Sequence, residues 1–340
     1  MRSYNPISIR LTPLFCQHIY TYIHRHFQKE IKNISILLQN ISIKYNFHHI
    51  KMKIRKTIHD ILMGIFIVGI TLLVTICLRI FVLASFKIPS DSMEPSILPG
   101  DYVIINKLVF GPRLFKNFHF IENGKIETIR LKGWRKIKHN DILVFNYPYK
   151  EWDHLGMDLN VFYMKRCVGI PGDTLSIVNG FYKVSGYKNI LGHYENQTRI
   201  SQLPDTLFPE NIFRAFPFEG HERWNIKNMG PLYIPRSGDT VLITPSNIRS
   251  YQRLIEYENN IPAKIVSDTL LFLGKNCISK YTFKQNYYFM AGDNVFNSRD
   301  SRYWGLLPED YIIGKAVRIW KSINPKTKKI RMDRFLKKIE

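Results

Sequence analysis

The chain has 340 residues, of which 45% are hydrophobic and 14% aromatic, and its formal net charge is +22. This length and composition are enough for a packed core and about two domains, and the charge is compatible with a nucleic acid, an acidic membrane surface or solvation alone. The four cysteines are scattered and no H-E-x-x-H occurs among the eleven histidines, so we predict no disulfide framework, no metal and no cofactor.

Residues 1–58 form a basic segment with Glu30 as its one acid. We expect this segment to be cytoplasmic. Three alternatives stay open: an amphipathic segment on a membrane surface, a disordered segment, or residues upstream of a translation start at Met52, whose M-K-I-R-K sequence is typical of the flank of a membrane helix.

Residues 59–84 are predicted to form a single transmembrane helix, because residues 61–83 are mostly apolar with Arg79 as their one charge, and about 20 apolar residues span a bilayer. Basic residues precede this run, which places the N-terminus in the cytoplasm and the rest of the chain outside. The alternative is a cleaved secretory signal ending at Ala84, but the run is long for a signal and carries its charge late.

Short strand patterns follow the membrane segment, at residues 101–106, 141–145, 174–177 and 240–243. Each begins after a turn pattern, and residues 178–181 (V-N-G-F) resemble a hairpin turn. We therefore predict a mainly β fold, with an antiparallel core.

The chain after the membrane segment is expected to divide into three parts. Residues 85–184 and 286–322 are assigned to the β core. Residues 185–285 are less regular and rich in proline, and are expected to be a smaller inserted domain. Residues 323–340 are expected to be a basic C-terminal tail.

A turn-rich stretch, residues 88–100 (I-P-S-D-S-M-E-P-S-I-L-P-G), comes directly after the most apolar part of the chain. Its three prolines restrict the backbone. A rigid loop that holds a serine beside a membrane is a candidate carrier of a nucleophile, here Ser92. The alternative is a proline-rich linker without chemistry.

Three further stretches accompany this loop: residues 140–148 (N-D-I-L-V-F-N-Y-P), 163–173 (Y-M-K-R-C-V-G-I-P-G-D) and 292–308 (G-D-N-V-F-N-S-R-D-S-R-Y-W-G-L-L-P). With the S-M-x-P sequence at Ser92 they resemble, in the same order, the motifs of the type I signal peptidases (leader peptidases). The resemblance covers residues 86–177 and 288–320. It departs from the common pattern at Ser96 and Val295, where Thr and Arg are frequent.

This resemblance implies a membrane-bound serine endopeptidase that removes signal peptides from secretory preproteins. Cleavage is expected after small residues at an A-x-A site, through a Ser–Lys dyad and an acyl-enzyme. The expected location is the bacterial inner membrane, with one span and the catalytic domain on the periplasmic side. Membrane lipid is a further expected partner and nucleic acid is not; the sequence leaves the oligomeric state open.

The chemistry of a Ser–Lys pair can be argued from the residues. A serine hydroxyl needs a base, and a free lysine, with a pKa of about 10.4, is protonated at neutral pH. Burial lowers a lysine pKa by up to about 3–5 units, and Lys165 has apolar neighbours on both sides. The alternative is a surface lysine at a strand edge. Its neighbour Arg166 is expected on the opposite face of the strand.

The remaining site residues are assigned by the resemblance. The Ser90 hydroxyl and the Ser92 backbone N–H are expected to form an oxyanion hole. Ser298 is expected to orient the Lys165 amine, Asp293 to assist, and Asp300 and Arg302 to form an ion pair, for which a weak surface pair is the alternative. Apolar neighbours of the dyad are expected to line the substrate pockets, with ordinary core packing as their alternative: Phe86, Ile88, Met93, Ile97, Tyr163 and Met164.

Two other classes of protein fit parts of the sequence. The first is a different Ser–Lys peptidase, a self-cleaving repressor of the same general fold, which would require a soluble DNA-binding domain in place of the membrane segment. The second is a membrane-anchored binding module without catalysis. The presence of both Ser92 and Lys165 argues against the second.

Overall fold

The computed structural model of the chain describes residues 13–116, 126–149, 154–219 and 223–339. The chain forms two compact units, residues 1–75 and residues 76–340. The predicted antiparallel β architecture is confirmed: the second unit is built mainly from antiparallel strands.

Helix α1 (Pro13–Cys77) is 65 residues long and makes up the described part of the first unit. Among the described residues the one candidate membrane span is His24–Val82, which takes in most of α1 and the five residues after it, and its most apolar part is exposed, as a lipid-facing surface must be. Residues 13–58 are therefore helical rather than disordered, and residues 1–12 lie outside the described residues. The predicted span 59–84 is helical to Val82, because a π-helix (Leu78–Val82) continues α1; its last two residues begin strand β1.

The second unit contains eighteen described strands and four short helices. The strands are β1 (Leu83–Lys87), β2 (Asp101–Asn106), β3 (Arg113–Phe115), β4 (Thr128–Arg130), β5 (Ile142–Tyr147), β6 (Asp158–Gly169), β7 (Thr174–Val178), β8 (Phe181–Val184), β9 (Met229–Tyr233), β10 (Thr240–Leu242), β11 (Ala263–Val266), β12 (Leu270–Leu273), β13 (Asn276–Ile278), β14 (Lys280–Thr282), β15 (Tyr287–Ala291), β16 (Leu307–Pro308), β17 (Ile312–Ser322) and β18 (Lys337–Lys338). The helices are α2 (Tyr194–Gln202), α3 (Glu210–Phe213), α4 (Ile248–Asn259) and α5 (Ser301–Trp304).

The largest sheet has the strand order β1-β2-β17-β5-β6-β15-β16, with β18 also paired to β17. Strand β5 lies near its centre, and its residues alternate between two apolar clusters. Ile142 and Val144 belong to the cluster that contains Met93, whereas Leu143 and Phe145 belong to the cluster around Trp304. Because side chains of a strand alternate between faces, this sheet is covered by apolar packing on both sides.

The expected insertion, residues 185–285, shares a core with the strands around it. One apolar cluster joins Tyr251 and Leu271 of the insertion to Val168 and Phe289 of the large sheet. Strand β9 of the insertion also pairs with β7, so the expected boundary at residue 185 divides the sheet β8-β7-β9. The hairpin turn at 178–181 joins β7 to β8, with Asn179 at φ 49° and Gly180 at φ 84°.

Residues 323–339, expected as a basic tail, fold back onto the large sheet. Ile323 bridges to Ile330, a 3-10 helix follows at Met332–Arg334, and β18 pairs with β17. Ile339 is buried in the same cluster as Met93. This segment therefore contributes to the core next to the serine loop.

Candidate active site

The loop that carries Ser92 is closed at its base by backbone hydrogen bonds. Ile88 N–H donates to the carbonyl of Asp101 at 2.8 Å, and Gly100 N–H donates to the carbonyl of Ile88 at 2.8 Å. Met93 and Ile97 point from the loop into the apolar cluster and are 1% and 0% exposed. Ser92 is thus presented at the surface by a loop whose neighbouring side chains are fixed in the core.

The folded C-terminal segment braces this loop from the other side. The Arg334 guanidinium binds the buried Asp101 carboxylate at 2.6 Å and donates to the carbonyl of Ser96 at 3.0 Å. Arg331 donates to the carbonyl of Pro99. Both arginines therefore donate hydrogen bonds to polar groups of the serine loop and of Asp101 at its base.

Lys165 lies on β6 opposite Leu143 of β5, and its side chain is 3% exposed. Its Nζ is 2.5 Å from Ser92 Oγ, a hydrogen bond between residues 73 positions apart. The Tyr163 ring lies on the same face of β6, with its centroid 5.6 Å from Nζ. The two residues predicted as a dyad are therefore in direct contact.

Burial lowers the pKa of Lys165 from 10.5 to about 8. The carboxylate of Asp300 opposes this by favouring the charged amine, whereas Arg302 disfavours it. At a pKa of about 8 a sizeable fraction of the amine is neutral near physiological pH, which is the state that a general base requires.

Ser90, predicted as an oxyanion donor, lies on the same loop with its Oγ 3.4 Å from Ser92 Oγ. The Ser92 backbone N–H has no acceptor within the described part of the chain. The Ser90 hydroxyl thus lies beside the Ser92 hydroxyl oxygen. Among the described residues, the Ser92 backbone N–H is not engaged by another acceptor. This arrangement is suited to an oxygen that gains negative charge.

Asp300 and Arg302 form a bidentate pair, with Nε–Oδ1 at 2.8 Å and Nη2–Oδ2 at 2.9 Å. Both side chains are 0% exposed, so this is a buried pair and not a surface one. Burial alone would raise the pKa of Asp300, but Arg302 and the hydrogen bonds around it lower that pKa below its usual value. Asp300 also accepts from the backbone N–H of Gly292 at 2.9 Å, which ties the pair to the end of β15.

Ser298, expected to bond the Lys165 amine, is buried, and its Oγ has no hydrogen-bond partner among the described residues. The hydroxyl lies near the Asp300 carboxylate and helps to lower the pKa of that carboxyl group. The two groups do not meet the distance and angle requirements of a hydrogen bond. The Ser298 hydroxyl contacts Gly292 instead: a Cβ atom on Gly292 would lie 2.1 Å from Ser298 Oγ and 2.6 Å from the carbonyl oxygen of Ser92.

Asp293 pairs with Arg166, with Oδ1–Nε and Oδ2–Nη2 both at 2.7 Å. Arg166 points to the opposite face of β6 from Lys165, as strand alternation predicts, but it is also buried, at 8% exposure. Sequence reasoning did not assign Arg166 to the site. An arginine inside a buried strand requires an acidic partner. The sequence could have indicated Arg166 through this requirement.

Asn196, on helix α2 of the insertion, is another residue that sequence reasoning missed. Its side-chain amide donates to the carbonyl of Asp293 at 2.7 Å and to the carbonyl of Glu94 at 3.3 Å. It therefore joins the serine loop to the loop after β15. No local pattern marks this residue, because its partners are about 100 positions away in each direction.

A groove with a cavity volume of about 520 Å³ opens between the serine loop and β6. Five of the six predicted pocket residues line it: Phe86, Ile88, Met93, Tyr163 and Met164. The sixth, Ile97, is in the core behind the loop and does not line the groove. The Phe86 and Phe162 rings approach to 4.9 Å between centroids.

Sequence reasoning did not assign to the substrate pockets several other residues that line the groove: Lys87, Pro89, Asp91, Val144, Val161, Phe162, Asn297 and Arg299. Among them, Asn297 donates to both carboxylate oxygens of Asp91 at 3.0 Å, which fixes the residue before Ser92. Over the parts of the chain that the structure describes, no group of three or more His, Cys, Asp or Glu side chains is placed to hold a metal ion.

Comparisons with known proteins show which family the chain resembles. A family model described as "Signal peptidase, peptidase S26" matches residues 61–321. The chain is 29% identical over 262 residues to "Signal peptidase I" of Buchnera aphidicola subsp. Schizaphis graminum, which covers 75% of this chain and 73% of that relative. It is 27% identical to the protein of the same name from Buchnera aphidicola subsp. Acyrthosiphon pisum (89% and 87% covered) and 27% identical to that from Pseudomonas fluorescens (74% and 69%).

Proposed function

Because this chain belongs to the signal peptidase family, peptidase S26, and is a membrane-anchored serine endopeptidase of signal-peptide processing, we propose that it cleaves by a Ser92–Lys165 dyad. The observation that carries this proposal is the 2.5 Å contact between Lys165 Nζ and Ser92 Oγ. The buried amine, whose pKa is lowered to about 8, is the base that the serine hydroxyl needs.

The first half of the reaction forms an acyl-enzyme. Ser92 Oγ attacks the carbonyl carbon of the scissile bond while its proton passes to the neutral Lys165 amine. The oxyanion receives hydrogen bonds from the Ser90 hydroxyl and the Ser92 backbone N–H. The C–N bond then breaks, the departing amine takes the proton from Lys165, and the signal peptide remains as an ester on Ser92.

The second half hydrolyses this ester. A water molecule gives a proton to the neutral Lys165 amine, and its oxygen attacks the ester carbonyl carbon. The bond to Ser92 Oγ breaks, and Ser92 takes the proton back from Lys165. The same amine thus acts as base and then acid in both halves, which one group with a pKa near the working pH can do.

The substrate is proposed to be an extended segment with small side chains near the scissile bond, as in an A-x-A site. Two features of the groove support this. Part of its wall is apolar, and two aromatic rings of that part, Phe86 and Phe162, are in contact with each other. The groove also begins at Phe86, three residues after the start of β1. At about 3.3 Å per residue, this edge of the groove is therefore about 10 Å along the strand from Leu83, which follows the helical span directly.

The proposed topology has the N-terminus in the cytoplasm and the catalytic unit on the outer face of the bacterial inner membrane. The support is the cluster of Lys51, Lys53, Arg55 and Lys56 on the N-terminal side of the apolar run. External protease added to spheroplasts should digest the catalytic unit. Digestion only after lysis would indicate that the catalytic unit lies on the cytoplasmic side.

The test of the function is cleavage of a synthetic A-x-A peptide by the detergent-solubilised protein and by Ser92→Ala. Mass spectrometry should find a single cut after the second alanine with the wild type and none with the variant. A variant that still cuts at the same bond would remove Ser92 as the nucleophile.

A further inference from the structure

Arg299 is a cation of the groove that the proposed mechanism does not use. It lines the groove, and its side chain is exposed. Burial raises the pKa of Tyr147 and of Tyr163, and the Arg299 guanidinium opposes that rise in both. The rings of the two tyrosines approach to 4.6 Å between centroids. The guanidinium therefore lies near this pair of rings.

The backbone that carries Arg299 is fixed on both sides. Its neighbours in the chain, Ser298 and Asp300, are 6% and 0% exposed. The Arg299 carbonyl accepts a hydrogen bond from Trp304 Nε1 at 3.4 Å, and the Ser298 carbonyl accepts one from Arg302 Nη2 at 3.5 Å. The exposed guanidinium is therefore carried on an ordered backbone.

The groove has two different walls, because the side chains of β6 alternate between the two faces of the strand. Met164 belongs to the apolar cluster that contains Met93, whereas its neighbour Tyr163 packs against the cluster around Trp304. The Met164 face of β6 thus contributes an apolar wall. The opposite face contributes a wall with the Tyr163 ring and Arg299.

An extended substrate along β6 would present its side chains to these walls in turn. Among the described strands, β15 pairs with residues 166–169 of β6 and leaves the same edge unpaired at residues 161–165, which line the groove. A segment lying along this edge alternates as β6 does. If both alanines of an A-x-A site face the apolar wall, the middle side chain faces Tyr163 and Arg299.

The charges of the groove favour an acidic partner for Arg299. Asp91 is the one carboxylate among the described residues that line the groove, and Asn297 donates to both of its oxygens at 3.0 Å. Lys87 is a second exposed cation of the lining. With Lys165 neutral, as the base must be, these cations outnumber the carboxylate by two to one, so a negative side chain is attracted.

We propose that Arg299 is a specificity-determining residue that favours Asp or Glu at the middle position of the A-x-A site. This inference rests on the proposed function. A guanidinium binds a carboxylate through paired, charge-assisted hydrogen bonds. The middle side chain takes no part in the reaction, so the ion pair is the same in the bound substrate and in the transition state. It therefore lowers KM and leaves kcat unchanged.

The first test compares three peptides that differ only at the middle residue: A-D-A, A-N-A and A-K-A. Asn has the shape of Asp without its charge. With the detergent-solubilised full chain, we expect kcat/KM for A-D-A to exceed that for A-N-A by about 5-fold, the upper range for an exposed ion pair. The A-K-A peptide should be cut least well, and high salt should reduce all three differences.

Equal values of kcat/KM for A-D-A and A-N-A would overturn this inference and leave the proposed function intact. Failure to cut any of the three peptides would remove the proposed function and this inference with it. Asp placed directly after the cut lies about 7 Å further along an extended chain and should give a smaller gain. A larger gain there would overturn the placement of Arg299 at the middle residue.

The second test changes the charge on the protein. The ratio of kcat/KM for A-D-A to that for A-N-A should fall to about one in Arg299→Gln, and Arg299→Glu should cut A-K-A better than A-D-A. Each ratio is taken within one variant, so a general loss of activity does not affect it.

Two further variants are the matched controls. Lys87→Gln removes the other exposed cation of the groove, and Arg214→Gln removes an exposed arginine outside it. Both should keep the preference of the parent protein for A-D-A. A preference that is lost in Lys87→Gln, or that survives in Arg299→Gln, would overturn the assignment to Arg299.

Discussion

Gly292 and Ser298 are in contact so close that a Cβ atom on Gly292 would lie 2.1 Å from Ser298 Oγ. The same Cβ atom would lie 2.6 Å from the carbonyl oxygen of Ser92. The glycine at the start of the last motif therefore allows two loops to meet, one that carries the serine and one that carries the Asp300–Arg302 pair.

Gly292→Ala should consequently displace Ser92 relative to Lys165. We expect kcat to fall by about 10²-fold or more, since shifts of about 1 Å have this effect on positioned groups. The free energy of unfolding should fall by about 1–3 kcal/mol, as for other overpacked sites. Peptide cleavage and thermal unfolding measure the two effects. Gly156→Ala, where the added methyl meets nothing closer than 4.0 Å, is the control; equal losses in the two variants would contradict the explanation.

The pH dependence should report the base. Since burial lowers the pKa of Lys165 to about 8, the amine is charged below that pH and neutral above it. The value of kcat/KM should therefore rise as pH increases through about 8 and then reach a plateau. Lys165→Arg keeps the charge but cannot deprotonate, and should lose nearly all turnover. The double variant Lys165→Arg/Ser92→Ala should have hardly less turnover than Lys165→Arg alone, because the two groups act as one unit. A folded Lys165→Arg protein with near-normal turnover would exclude Lys165 as the base.

Ser90→Ala tests the oxyanion hole. If the hydroxyl stabilises the developing charge, kcat should drop by about 10²- to 10³-fold with little change in KM, because the interaction is made only in the transition state. Steady-state kinetics with the A-x-A peptide give both constants. Ser185→Ala, an exposed serine outside the groove, serves as the matched change. An unchanged kcat in Ser90→Ala would show that the Ser90 hydroxyl is not an oxyanion donor.

Asn196→Ala tests whether the insertion supports the site. Removing the amide leaves the carbonyl of Asp293 buried without its donor, which costs about 1–3 kcal/mol of unfolding free energy. Activity should fall as well, because the loops of Glu94 and Asp293 lose their common partner. Asn189→Ala, at an exposed position of the same insertion, should change neither property. For the same reason, replacing residues 185–285 by a linker should abolish activity.

The Asp300–Arg302 pair should make the fold sensitive to acid. Because the pKa of Asp300 is lowered in the folded state, its contribution to stability is present above the ordinary carboxyl pKa of about 3.9 and is lost as pH falls through the lowered value. Asp300→Asn should therefore lower the free energy of unfolding by about 3–5 kcal/mol at neutral pH. This gap between the variant and the parent protein should narrow only below pH about 4. Thermal unfolding across pH measures the gap, and exposed Asp333→Asn is the reference. A gap that is the same at pH 3 and pH 7 would contradict the assignment.

The antiparallel fold could be predicted from the sequence because its signals are local. Residues 101–106 were predicted as a strand from a turn followed by a short, mostly apolar run, and β2 has these bounds. The contact between Ser92 and Lys165 was expected from the resemblance of two motifs to a known family. No local pattern could have supplied it, since 73 residues separate the pair.

The supports of the site were missed for a physical reason. Arg166, Asn196 and Arg334 each act through a partner about 100 or more positions away, and hydrogen bonds at such separations leave no periodicity in the sequence. Ile97 was assigned to a pocket because it is apolar and near Ser92. The loop turns its side chain into the core instead, and only the packing of the whole cluster determines this.

The bond between Arg334 and Asp101 has a consequence for the order of synthesis. The two residues are 233 positions apart, so the ribosome must add that length of chain after the serine loop before its brace exists. The membrane span and Ser92 are made first, and a nascent chain already held in the bilayer would carry the serine on an unbraced loop. The serine loop can therefore gain this brace only after the C-terminal segment has been synthesised.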